Sequence, residues 1–227
     1  MKKSAVKNLT ELIFPSRCIG CFQLGISICS VCRTSWHPHI YLRELTVLGS
    51  IYPVVSAVQY SPIASRVLLS AKESNIAAAD ILLTDAISHS LRYFIKRFGG
   101  DILISIPSRR SASRKRGRNF LGEITEEVAK ISSMKIEVSK IQLLTHSRSV
   151  KDQSALNSRQ RFANLSGALG VPNKAISNKG AGNIGSLIIV DDLITTGATL
   201  AEAIRALRTA GFEVKGAVTG AVAKPLR

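Results

Sequence analysis

The sequence predicts an α/β protein, a mostly parallel sheet with helices on both faces, preceded by a small cysteine-rich module. Three observations predict it. From about residue 50 onward, β-branched apolar runs alternate with segments of helical periodicity, the pattern that βαβ units impose. Leu187-Ile188-Ile189-Val190 is an unbroken apolar run with three β-branched residues, as expected of a strand buried on both faces. All four cysteines fall between positions 18 and 32, in two C-x2-C knuckles.

The chain has 227 residues, enough for one sizeable core and an appendage, which divides the expectation into 1–48 and 49–227. No apolar run approaches the roughly 18 residues that a membrane span needs. The start, Met1 to Leu9, is basic but has no uninterrupted apolar stretch or small-residue cleavage site, so a cytoplasmic protein without a secretory signal is expected. With 31 basic and 15 acidic residues the net charge is +16, which points to a polyanionic partner or a bound polyphosphate, against the simpler reading of a solvated basic surface.

Taken in order, residues 9–17 form a short amphipathic segment stopped by Pro15. Cys18, Cys21, Cys29 and Cys32 follow, two knuckles around a gap of seven residues that holds Gly25. That spacing suits tetrahedral thiolate coordination of structural Zn2+, whose binding would supply the folding energy so short a segment lacks. Paired disulfides and a redox C-x-x-C are the competing readings; the expected compartment disfavours the first and the duplicated knuckle the second. With four thiolates saturating the ion, His37 and His39 read as surface or packing residues. Trp36 to Gly49 reads as a linker.

Ile51–Tyr60 is rich in β-branched residues and reads as a strand. Pro62 to Lys72 reads as a short helix, and Asn75 to Phe98 as a long one with an apolar stripe at three- and four-residue steps, stopped by Gly99-Gly100. Ile102–Ile106 is the next buried strand, ended by Pro107. Ser108–Asn119 then carries Arg109, Arg110, Arg114, Lys115, Arg116 and Arg118 without one acid, so it reads as an anion-seeking loop. It follows a strand end, where ligands sit in open α/β sheets. Phe120–Ile131 reads as a helix and Ile136–Thr145 as a strand region. A helix holding Leu156, Arg161 and Asn164 follows Arg148–Gln153. Leu165 to Gly185 reads as a loop or weak strand, and Phe212–Ala223 closes the sheet.

The strongest chemical signal is at 191–199. After the apolar run come Asp191 and Asp192, then Thr195, Thr196, Gly197, Ala198 and Thr199, and a helix running to Gly211. A strand, a small-residue turn and a helix N-terminus gather unpaired N–H groups and the positive end of a helix dipole at one point, an anion site. Gly197 allows a phosphate to approach the backbone, and the threonine hydroxyls add donors. Two carboxylates beside a phosphate need another task, and accepting hydrogen bonds from sugar hydroxyls near a divalent metal supplies one. An ordinary strand–turn–helix with a polar cap is the plainer alternative.

Asp191-Asp192-x2-Thr195-Thr196-Gly197-Ala198-Thr199 resembles the 5-phosphoribosyl-1-pyrophosphate (PRPP) loop of type I phosphoribosyltransferases. With the cysteine knuckles, Leu12-Ile13-Phe14-Pro15, Tyr60 with Lys72, Arg116-Gly117-x-Asn119 and Gln153-x2-Leu156-x4-Arg161-x2-Asn164, the chain resembles the ComF (ComFC/GntX-like) family nearly end to end. It departs at Arg118, where that family has an aromatic residue, and at Ile106-Pro107-Ser108, where it has Pro-x-Pro. The resemblance implies a type I phosphoribosyltransferase fold behind a zinc module. It further implies that Asp191 and Asp192 hold ribose hydroxyls as the catalytic acids, that 195–199 takes the 5′-phosphate, and that Pro107, Ser108 and Arg109 face pyrophosphate with Mg2+. Arg110, Arg114, Lys115, Arg116, Arg118 and Asn119 would form an anion or nucleic-acid loop. Three functions are compatible with this: a phosphoribosyltransferase of nucleotide metabolism, a factor handling single-stranded DNA during uptake beside a helicase-like competence partner, and a nonenzymatic PRPP sensor.

Overall fold

The computed structural model describes residues 16–132, 135–139, 141–148, 158–179 and 185–223. The expected segment before Ser16, the Val150–Gln153 part of the middle signature and Leu156 lie outside the described residues. The described helices are α1 (Ser30–Ser35), α2 (Pro62–Glu73), α3 (Ala77–Phe98), α4 (Arg110–Arg116), α5 (Phe120–Ile131), α6 (Ser158–Leu165), α7 (Asn173–Lys179) and α8 (Ala198–Thr209). The strands are β1 (Tyr41–Val47), β2 (Ser50–Gln59), β3 (Ile102–Ser105), β4 (Glu137–Val138), β5 (Thr145–His146), β6 (Leu169–Gly170), β7 (Leu187–Ile194) and β8 (Val214–Val222).

Six strands form one sheet in the order β1-β2-β8-β7-β3-β4, parallel throughout except for the β1–β2 hairpin. β7 and β8 sit in its middle and read Leu-Ile-Ile-Val and Val-x-Gly-Ala-Val because neither of their faces meets water. α2, α3 and α5 pack together over one face, and α8 covers the other with α6 and the antiparallel pair β5–β6. This follows from handedness: β3 leads outward through α5 to β4, β7 leads inward through α8 to β8, and right-handed crossovers running in opposite directions put their helices on opposite faces.

Local chemistry sets the helix starts. Ser61 accepts a hydrogen bond from the Ala64 N–H at 3.1 Å and Pro62 fills the first turn, so α2 begins where its sequence allows. Asn75 takes a positive φ of 53°, which delays α3 until Ala77, two residues later than its periodicity suggests.

Several expectations need correction. The linker at 36–49 contains β1, which pairs with β2 from Tyr41↔Ser56 to Val47↔Ser50 and belongs to the sheet. The strand at 187–190 continues to Ile194, because Leu193 and Ile194 pair with Ala221 and Val222 beyond the two acids. The loop at 108–119 contains α4. Ile136–Thr145 supplies only short strands at its two ends, and Leu165–Gly185 includes β6 and α7.

The cysteine module is fastened to the helical layer. Trp36 is 2 % exposed and its indole N–H donates to the Leu82 carbonyl at 3.1 Å, placing a large apolar surface and a satisfied donor against α3. Arg66 of α2 donates to the Gly20 carbonyl and lies 5.1 Å from the centre of the Phe22 ring. No described helix is long and apolar enough to cross a membrane.

Candidate functional site

β3 and β7 are adjacent and parallel, with Ser105 opposite Val190 and the Ile106 N–H donating to the Val190 carbonyl at 3.1 Å. The loops after both strands therefore leave the sheet side by side. Since the two chains then turn in opposite directions, the gap between them is the topological switch point at which open α/β sheets bind ligands.

The loop after β7 makes a cup at the start of α8. Asp191 and residues 193–200 line it, and its volume is about 20 Å³. The first N–H groups of α8 have no partner within the helix and face this cup, as does the positive end of its dipole. Thr196 Oγ1 accepts from the Ala198 N–H at 3.4 Å. Gly197 has φ 82°, and a Cβ there would meet Leu45 Cδ2 at 2.5 Å. The backbone angle calls for glycine here, and a Cβ would in addition displace the β1 side chain packed over the turn. Arg43, two residues earlier on the same face of β1, donates to the carbonyls of Thr195, at 2.9 Å, and Ala223.

Asp191 and Asp192 are each 9 % exposed, at the C-terminal end of β7. Successive strand residues point to opposite faces, and the pair is divided accordingly. Asp191 lines the cup, whereas Asp192 receives a 2.9 Å hydrogen bond from Lys72 Nζ on α2. The Asp191 carboxylate also accepts the Asp192 N–H at 2.9 Å. Burial, and then repulsion from Asp192, pushes the Asp191 carboxyl well above the usual carboxylate range. Burial alone would lower Lys72, but Asp192 and then Asp191 outweigh it, and its ammonium is held above its ordinary value.

The loop after β3 places Pro107 and Ser108 beside a cavity of about 550 Å³. Its floor is Leu103, Ile104, Leu143 and Leu144; Ser113, Arg114, Asn119, Glu126 and Gln142 supply its polar wall. Gly122 in α5 admits the Asn119 side chain, since a Cβ would stand 2.1 Å from Asn119 Nδ2. The antiparallel pair β5–β6 ties the loop after β3 to α8. His146 Nε2 meets the Pro107 carbonyl at 3.0 Å at one end. At the other, Glu202 of α8 accepts the Leu169 N–H at 3.1 Å and Arg205 donates to the Leu169 carbonyl at 3.1 Å.

The expected basic loop is only partly displayed. Arg114 and Lys115 are exposed on α4. The Arg116 side chain is 5 % exposed and faces Glu73 at 3.5 Å, while that of Arg118 is 10 % exposed and pairs with Asp80 at 2.9 Å and Glu123 at 3.0 Å. Those two cations serve the α2–α3–α5 layer rather than a surface ligand, because neighbouring acids neutralise them as they are buried. Asn119 stands at the cavity wall.

The four cysteine sulfurs all lie within 4.8 Å of one another. Cys21 and Cys29 sulfurs are 3.7 Å apart. Four thiolates at the usual Zn–S length of about 2.3 Å would stand about 3.8 Å apart, so the cluster fits a tetrahedral ion. A Cβ on Gly20 would be 2.5 Å from Cys32 Sγ, so the knuckle closes only around glycine. Burial raises the Cys18 thiol, but N–H groups of Cys29, Cys21 and Gly20 outweigh it and bring it to about 6; burial, joined by the other cysteines, pushes Cys32 far up. His37 and His39 are exposed, with ring centres 5.3 Å apart, and do not join the sulfur group.

No protein-family model matches the chain, and no curated protein matches it.

Sequence reasoning assigned no role to Arg43 and Leu45, which hold the Thr195–Gly197 turn, or to Lys72, which holds Asp192. The 41–47 run alternates between half-buried and exposed positions in the structure, but Leu42 takes an exposed position and Arg43 a half-buried one, so the sequence carries no matching apolar–polar alternation. No local signal marks the cavity, whose walls come from separate stretches between residues 103 and 144.

The buried acid has a pH signature. The raised Asp191 pKa means that the folded chain keeps a proton the unfolded chain has released. This contribution favours folding at low pH and turns against it as pH rises from the ordinary carboxylate range, about 3.9, toward the raised value. Asp191→Asn should therefore raise the melting temperature at pH 7–8 by about 2–4 °C for each kcal/mol relieved, with the gain shrinking near pH 4. Calorimetric scans across pH measure this; a loss of stability at pH 7 would contradict the burial argument.

Proposed function

We propose that the chain binds PRPP at the β3–β7 switch point and is a phosphoribosyltransferase-type protein of the ComF kind. The observation that carries the reading is the side-by-side exit of an Asp-Asp…Thr-Thr-Gly-Ala-Thr loop and an Ile-Pro-Ser-Arg loop from neighbouring parallel strands. The central sheet and the clustered cysteines are consistent with the type I fold and zinc module that this family joins.

In this reading the 5′-phosphate occupies the cup over α8, where N–H groups and threonine hydroxyls donate to it. Asp191 accepts from the ribose hydroxyls. Asp192 and Lys72 brace the end of β7. Pro107–Arg109 faces the pyrophosphate, and cations there would stabilise its charge as it leaves ribose C1. Mg2+, bound with PRPP, would neutralise the leaving pyrophosphate. The 550 Å³ cavity beside Pro107 and Ser108 gives a nucleophilic acceptor room. With Arg116 and Arg118 in ion pairs, the DNA-handling reading retains Arg114 and Lys115 as its exposed α4 cations and stands second.

Melting curves with PRPP and Mg2+ test the pocket: millimolar PRPP should raise the melting temperature, by about 2.7 kcal/mol of stabilisation at 100 times Kd. Asp191→Asn combined with Asp192→Asn should remove the shift. A shift that survives the double substitution, or none at all with the natural chain, refutes the assignment. Pyrophosphate release on adding an acceptor heterocycle would separate a transferase from a sensor. For the cysteine cluster we propose structural zinc, four sulfurs leaving no open position. Metal analysis should then find one zinc per chain in protein purified without chelator, and a metal-free, fully folded chain would refute it.

A further inference from the structure

Arg43 differs from Arg116, Arg118 and Arg205 in what it bonds. Each of those three faces a carboxylate, at 3.5, 2.9 and 2.8 Å. Arg43, half-buried on β1, forms no ion pair among the described residues. Its guanidinium donates instead to the carbonyls of Thr195, at 2.9 Å, and Ala223. A carbonyl accepts a hydrogen bond without cancelling the cation, so a positive charge is held behind the turn that leads into α8.

The same two bonds decide where the amides of that turn point. The Ile194 carbonyl accepts the Ala223 N–H at 2.8 Å and so faces β8; across a trans peptide the Thr195 N–H faces the other way, toward β3. In a continuing strand the next carbonyl would face β3 and the next N–H would face β8. Here one guanidinium spans the Thr195 and Ala223 carbonyls, which draws the Thr195 oxygen to the β8 side. The Thr196 N–H is thereby turned to the cleft beside that of Thr195. Two consecutive amides point the same way, and neither has an acceptor among the described residues.

We propose that Arg43 is a positioning residue for the anion that occupies the cup at the start of α8. It acts through the Thr195–Thr196 peptide: holding the oxygen back presents the N–H forward, already oriented before the ligand arrives. Its uncancelled charge adds a field that favours a phosphate monoester over a neutral ligand. The fork geometry of arginine suits the task, because a single planar group bonds two carbonyls in a fixed arrangement, which a lysine ammonium does not. The inference rests on the phosphate reading of the cup and extends it, making an edge-strand side chain behind the turn a determinant of affinity.

The test titrates ribose 5-phosphate into the natural full chain, Arg43→Gln and Arg43→Lys, with the backbone amides followed by nuclear magnetic resonance. In the natural chain the ligand should shift the amides of Thr195, Thr196 and the first turn of α8. Arg43→Gln should bind at least about tenfold more weakly, equivalent to about 1.4 kcal/mol. Its Thr196 amide should be displaced before any ligand is added, while the resonances of β3 and α5 stay in place and show that the fold is kept. Arg43→Lys restores the charge but not the fork and should recover only part of the affinity; if Arg43→Gln fails to fold, the same comparison is made with Arg43→Lys alone. Affinity equal to that of the natural chain in the variants, or an unmoved Thr196 amide, overturns the role of Arg43 and leaves the cup as a phosphate site. No shift at the start of α8 in the natural chain overturns the phosphate reading itself, and the inference with it.

Discussion

Two neighbouring parallel strands, β3 and β7, send their connections in opposite directions, and the rest of the molecule is arranged around the gap this opens. Handedness decides it: with right-handed crossovers, α5 and α8 must lie on opposite faces, so neither helix can close over the strand ends between them. The backbone N–H groups at the start of α8 and the Ile-Pro-Ser-Arg loop thereby converge without any side chain having to reach far. What remains is to hold the loops still. Leu45 and Arg43 of the edge strand do so for one, packing on Gly197 and bonding the Thr195 carbonyl. The antiparallel pair β5–β6 does so for the other through His146 and Pro107, and it is itself tied to α8 by Glu202 and Arg205.

The division of the acid pair is the chief energetic feature of the site. Side by side in sequence, Asp191 and Asp192 are forced to opposite faces by strand geometry, so one can face a ligand while the other serves the fold. Lys72 neutralises Asp192 at 2.9 Å, but Asp191 stays buried with its neighbour's charge against it. A strained, poorly compensated acid persists only where the surrounding structure fixes it, and such groups concentrate at functional sites.

Legibility in the sequence followed the range of the interactions. The four-residue strand run, the glycine-bounded turn before α8 and the long stripe of α3 are local, and each was readable from spacing. The cysteine cluster was readable because its ligands lie within fifteen positions of one another, which leaves few ways to fold the segment. β1 was missed because the sheet, not propensity, makes it a strand; Arg43 and Glu44 sit in its middle and dilute the apolar signal. The basic stretch was misread for a related reason. Arg116 and Arg118 find Glu73, Asp80 and Glu123 from helices distant in sequence, and no count of charges within the stretch could show that.

The central claim is that positions 191–199 and 107–109 grip opposite ends of one phosphorylated sugar. A crystal structure with PRPP and Mg2+ measures this directly. The account predicts density for the 5′-phosphate against the N–H groups at the start of α8, ribose hydroxyls at Asp191, and pyrophosphate beside Pro107–Arg109. Clear density for the ligand anywhere else, or an empty cleft at a ligand concentration that shifts the melting temperature, would contradict it.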